Sequence, residues 1–268
     1  FPTSRKNQRT KETKKQRNKE PKNMAYDPTK HEALGTAELD ATSGLPLINL
    51  LQQLSPQLNA NKEKYIENSK VGDLFFAPTS EILPQPIKFT PTAFRTLYVE
   101  WVPKSDGGGI AGMHPLSIVT HPSYEKDRVR QYDEWLGSNE LKKTTYILGL
   151  MELNGEYVES MIALSSTGQK VSRLLQKSIR AFRYTGEHEK VVPAVFAQSW
   201  ELSSAYNENK SGEGYYSMKF SNPTALDFDT DEDLLNLCGE TAEKADLTLP
   251  SSTPVKSLAV VDDTDVPY

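Results

Sequence analysis

The sequence predicts a mainly β chain: a five-stranded barrel with one helix between its third and fourth strands, flanked by disordered termini. Three observations carry this. Between about Gly72 and Ser221, β-branched and aromatic runs recur, each bounded by Gly, Pro or Asn. Asn154-Gly155 falls between two such runs, and both residues accept the positive φ that a type I′ hairpin turn requires. A single stretch, 169–184, abandons the two-residue period for a helical one.

The elements follow in order. Leu45 to Leu54 places Leu47, Leu50, Leu51 and Leu54 at helical spacing, which predicts a short capping helix stopped by Ser55-Pro56. Leu74-Phe75-Phe76 is a short strand between Gly72-Asp73 and Pro78, and Ala93 to Val102 is a longer one ended by Pro103. A polar excursion over 104–143 follows, long enough to be either functional or disordered. Thr145 to Leu153, the Asn-Gly turn and Glu156 to Leu164 form a hairpin. Ser165-Ser166-Thr167 offers helix N-caps. Val171, Leu174, Leu175, Ile179 and Phe182 then share one face, beside a stripe of Lys170, Arg173, Lys177, Arg180 and Arg183. Ala194–Leu202 and Tyr215–Phe220 are the last strands, joined by the polar, Gly-bearing turn 207–214. This succession is that of an OB-fold barrel, an architecture that holds single-stranded nucleic acid.

Charge is distributed unevenly. Residues 1–23 hold nine Lys/Arg against two acids, and residues 225–268 hold eleven acids against two lysines. Met24 reads as a conventional start, so 1–23 is either a selected basic arm or sequence upstream of the protein; its composition predicts disorder in both cases. Beyond Pro223, acids precede the apolar run Leu234–Cys238, as the macrodipole favours at a helix N-terminus. From Asp246 on, Pro250, Ser251, Ser252 and Pro254 read as a linker.

Several chemistries find no support. No apolar run approaches the roughly 20 residues that span a bilayer. One cysteine, Cys238, forms no internal disulfide and fits a reducing compartment. His31, His114, His121 and His188 show no metal-ligand spacing. Gly107 to Gly112 has the glycine spacing of a dinucleotide loop, but His114-Pro115 follows where the phosphate-binding helix must begin. No nucleophile elbow, phosphate loop or zinc motif occurs, so neither catalytic residues, nor a metal, nor a cofactor is expected.

Binding a single strand needs cations along a groove and exposed rings for the bases. On the last strand, Tyr215, Ser217 and Lys219 alternate with Tyr216, Met218 and Phe220, which assigns the first set to solvent and the second to the core. On the first long strand, Arg95 and Trp101 share a face with Leu97 and Val99, and Tyr98 lies on the other. Tyr215, Lys219, Tyr98, Arg95 and Trp101 are therefore the candidate nucleic-acid contacts.

The chain ends Asp262-Asp263-Thr264-Asp265-Val266-Pro267-Tyr268. Pro267 restricts the backbone beside a terminal ring, and the acids add long-range attraction to a basic-rimmed pocket. This ending resembles the acidic tip of single-stranded-DNA-binding proteins, whose pattern runs Asp-Asp-Asp-Ile-Pro-Phe; Thr264 is inserted, Val266 stands for Ile and Tyr268 for Phe. The chain looks most like the phage replication type. The resemblance fits the division read from the residues: a disordered basic segment over 1–44, an OB-like DNA-binding domain over 45–223, an acidic helix over 224–245 and a flexible acidic tail over 246–268. It further implies non-sequence-specific coating of single-stranded DNA in replication, recombination and repair, in the host-cell cytoplasm, without a membrane. DNA polymerase, helicase-primase or nuclease would be recruited through Asp262, Asp263, Asp265, Pro267 and Tyr268, and self-association is compatible with the plan. The alternative is a phage structural or recombination-accessory protein whose β-domain binds protein.

Overall fold

A computed structural model describes residues 46–127, 133–209 and 211–252. The strands are β1 (Ile48–Leu50), β2 (Leu74–Phe76), β3 (Glu81–Ile82), β4 (Ile87–Trp101), β5 (Ile110–His114), β6 (Tyr124–Lys126), β7 (Glu134–Leu136), β8 (Asn139–Leu153), β9 (Glu156–Ser165), β10 (Gln198–Glu208) and β11 (Gly214–Ala225). The helices are α1 (Gly168–Ala181), α2 (Glu232–Glu243) and α3 (Ala245–Thr248).

The chain is mainly β, and five long antiparallel strands form one curled sheet in the order β11-β10-β4-β8-β9. Counted along the chain this order is five-four-one-two-three, with α1 between the third and fourth strands. That is an OB-like barrel left open between its third and fifth strands. Asn154 and Gly155 take φ values of 54° and 83° at the β8–β9 turn, as the hairpin signal requires.

The segment expected to be a capping helix at 45–54 instead contains β1, and it occupies the opening. Leu47 bridges Met161 in parallel, and the Met161 N–H donates to the Pro46 carbonyl at 2.7 Å. On the other side, the Gln52 amide donates to the Tyr216 carbonyl at 2.7 Å and accepts from the Tyr216 N–H at 3.3 Å. Two strand edges offer unpaired backbone groups here, and an extended segment supplies partners that a helix would consume internally.

Other boundaries moved for local reasons. β4 starts at Ile87, ahead of the expected Ala93, because Pro91 sits in a register shift between Pro91 and Ala93 that a ladder tolerates. The described residues of the excursion expected as a loop over 104–143 are folded. The excursion carries β5, β6, β7 and short 3₁₀ turns, and β8 already begins at Asn139. Ile118, Leu136 and Leu141 pack there around Tyr98. Polar ties hold it: Tyr98 and Tyr124 both donate to the Glu134 carboxylate, while Glu100 engages His114 Nε2 at 2.7 Å and accepts from Asn139 at 2.6 Å.

The inner face of the curled sheet buries Phe89, Ile147, Met151, Ile162, Trp200, Leu202 and Met218, and α1 closes it with Val171, Leu175 and Ile179. On the outer face, Leu97, Val99, Tyr146 and Leu148 are covered by Ala245 and Leu249, and Leu150 by Leu234 and Cys238. β8 is thus buried on both faces, which is why its sequence reads as a continuous apolar run. The expected linker from Asp246 starts later, since Leu249 is buried and 246–250 belong to the folded body.

Candidate functional site

The last hairpin and α1 build an open groove of about 310 Å³. β11 contributes Tyr215, Ser217 and Lys219, β10 contributes Asn207, and α1 contributes Lys170 and Leu174. Two-residue alternation does the placing on β11, with Met218 buried at 7% exposure while Lys219 is exposed. Across the hairpin, Tyr215 pairs with Asn207 and Ser217 with Ala205, and the Asn207 amide donates to Ser217 Oγ at 2.9 Å. α1 lies alongside because Leu175 and Val171 anchor it in the core. Its fourth apolar residue, Leu174, is 56% exposed and forms part of the groove wall. Neither Lys170 nor Lys219 makes an ion pair among the described residues. Trp200, 5% exposed and also in the lining, has an indole N–H with no acceptor among them. The groove therefore combines two free cations, a ring, hydroxyl and amide donors, and an apolar wall.

Of the five candidate contacts, Tyr215 and Lys219 come together here. The other three do not join them. Arg95 lies against the C-terminal segment, donating to the carbonyls of Leu249 and Pro250 at 3.0 and 3.2 Å and pairing with Asp246. The face it shares with Leu97 and Val99 is covered, and its guanidinium is already engaged. Tyr98 is 6% exposed and hydrogen-bonded to Glu134; burial, then that carboxylate, pushes its pKa far up, so its ring is a packing element. Trp101 is 37% exposed at the far end of β4, paired with Ile110 of β5. Ile110 is exposed too, as are Leu116 and Val119 elsewhere in the excursion. Asp262, Asp263, Asp265, Pro267 and Tyr268 lie outside the described residues, as does the arm over 1–23.

Sequence reasoning missed Lys170, Leu174 and Asn207 as groove residues, because period alone places them on solvated or core faces. It also missed Tyr206, 58% exposed, and it assigned Tyr216 to the core. Tyr216 is half-buried, and its ring meets that of Tyr206 edge-on, with centroids 5.5 Å apart. Within the described residues no cluster of three His, Cys, Asp or Glu could hold a metal. No described helix is long and apolar enough to cross a membrane.

The model of the Pam3 phage gp34-like protein family matches residues 10–245. The chain belongs to that family. No curated protein and no solved structure matches it. Membership marks the chain as a phage-type protein and spans the curled sheet, α1 and α2. The family's description names no activity.

Proposed function

We propose that the chain binds single-stranded DNA without sequence preference, seating it along the groove between α1 and β11, and that its acidic C-terminal residues recruit replication proteins. One observation carries the reading: Tyr215 and Lys219, singled out by their pattern alone, share an open groove with a second free lysine, on a sheet of OB-like order. On such barrels the loop joining strands four and five is one of the elements that receives oligonucleotides. That loop is the β10–β11 turn beside Tyr215. Lysines neutralise phosphates, and a ring stacks on any base, so the pair suits a sequence-tolerant ligand. Arg95, Tyr98 and Trp101 stand outside this contact set, and Lys170 enters it.

Titration with oligo-dT at several salt concentrations tests this. Wild-type protein should bind at low salt, with affinity falling linearly in log-log form. Lys219→Ala and Lys170→Ala should each lower the slope by about 0.7. Removing 262–268 should leave DNA binding intact or stronger while abolishing capture of polymerase, helicase-primase or nuclease. Absence of binding at low salt, or equal affinity for duplex, refutes the reading. The exposed Trp101, Ile110, Leu116 and Val119 favour a second reading, a phage structural or recombination-accessory domain that binds protein. Loss of partner capture on Ile110→Glu, with no oligo-dT binding by wild type, would establish it instead.

A further inference from the structure

The tip of the β10–β11 hairpin carries a second pair of rings, on the sheet face opposite Tyr215. Tyr206 and Tyr216 are cross-strand partners. A tyrosine 58% exposed to water is ordinarily free to change rotamer, but three features of the chain hold this pair. Gly214 has no side chain, and a Cβ there would strike the Tyr206 hydroxyl and lie 2.7 Å from ring carbons Cε2 and Cζ. Gly72 plays the same part for Tyr216: a Cβ there would lie 2.6 and 2.7 Å from Cε1 and Cδ1 of the ring. Gly72 also takes a φ of +93°, which L side chains rarely adopt. Finally, Gln52 fixes both backbone groups of Tyr216. Two glycines and a glutamine thus seat two tyrosines whose burial contributes little to the core.

Holding an exposed ring in one orientation serves a ligand that meets the ring, because the ordering entropy is already spent before contact. We infer that Tyr206, braced by Tyr216, is a preorganised stacking platform for an unpaired nucleobase. The inference rests on the single-strand reading above and adds to it the residue that receives a base. An unpaired base is the occupant that fits. The platform stands at the strand four–five turn of an OB-like sheet, on the opposite face of the hairpin from the groove's Tyr215. The Glu208 carboxylate lies 3.5 Å from the Tyr206 hydroxyl, which disfavours phosphate at that point and leaves the neutral ring to the base.

Oligo-dT titration of the full chain, with folding checked by thermal melting, tests the platform. Tyr206→Ala should weaken binding roughly 5- to 150-fold, the range of one lost stacked base, with the melting curve and the salt slope unchanged. Tyr206→Trp should restore affinity and report binding by quenching of the new indole. Gly214→Ala, which keeps the ring and dislodges it, should weaken binding in the same direction. Wild-type binding that Tyr206→Ala leaves unaltered overturns the platform alone. Failure of the wild type to bind any single strand overturns both the platform and the reading beneath it.

Discussion

Arg95→Ala separates two roles for one arginine, and the structure sets the size of the effect. The guanidinium donates to the carbonyls of Leu249 and Pro250, and its stem lies on the face formed by Leu97 and Val99. The Arg95 side chain is 22% exposed, whereas its acidic partner Asp246 is 93% exposed. An ion pair so open to water contributes about 0.2–1 kcal/mol. Hydrogen bonds from a charged donor contribute about 1.5–3 kcal/mol each, less here because water replaces part of what is lost. Arg95→Ala should therefore cost about 2–4 kcal/mol and lower Tm by roughly 4–16 °C. Asp246→Ala should cost under about 1 kcal/mol. Thermal melting of both variants reads the difference, and hydrogen exchange should show loss of protection centred on 245–250. The salt slope of oligo-dT binding should not move with Arg95→Ala. Equal destabilisation by the two substitutions, or a reduced slope, would refute the assignment of Arg95 to the clamp.

Three further outcomes are expected. A Cβ at Gly149 would lie 2.5 Å from both Phe89 Cζ and the Thr90 carbonyl, and neither ring nor backbone can retreat in that core; Gly149→Ala should cost about 1–3 kcal/mol, partly relieved when Phe89→Leu is added in a double-mutant cycle. Burial raises the pKa values of Tyr98, Tyr124 and Tyr146 above the ordinary 10.0. Their neutral forms thus stabilise the fold fully below about pH 10, and that contribution is lost as pH rises toward the folded values; tyrosinate absorbance should lag free tyrosine and then rise together with loss of structure. Burial pushes the Cys238 thiol up to about 12, so a thiol reagent at mildly alkaline pH should label it only after α2 lifts from Leu150 and Leu226, at a rate that follows local unfolding.

Period and turn chemistry act over short stretches of chain, and what depends on them could be read without coordinates. The Asn154-Gly155 turn, the helical face of 169–184 and the alternation along β11 are local, and together they gave the strand succession and the pairing of Tyr215 with Lys219. Long-range burial was beyond their reach. Nothing near Arg95 or Tyr98 in sequence announces that Leu249 and Pro250 cover one face of β4 while the folded excursion covers the other. Leu45–Leu54 has helical spacing, yet Ile48–Leu50 within it form a strand because two distant strand edges required hydrogen-bond partners. Leu174 belongs to the apolar face by period, but is exposed in the groove beside β11. The sequence by itself determined the long central strands, the hairpin turn and the helix between them; only the tertiary structure decided which further segments pair as strands and which faces stay open to water, because both depend on contacts between segments far apart in the chain.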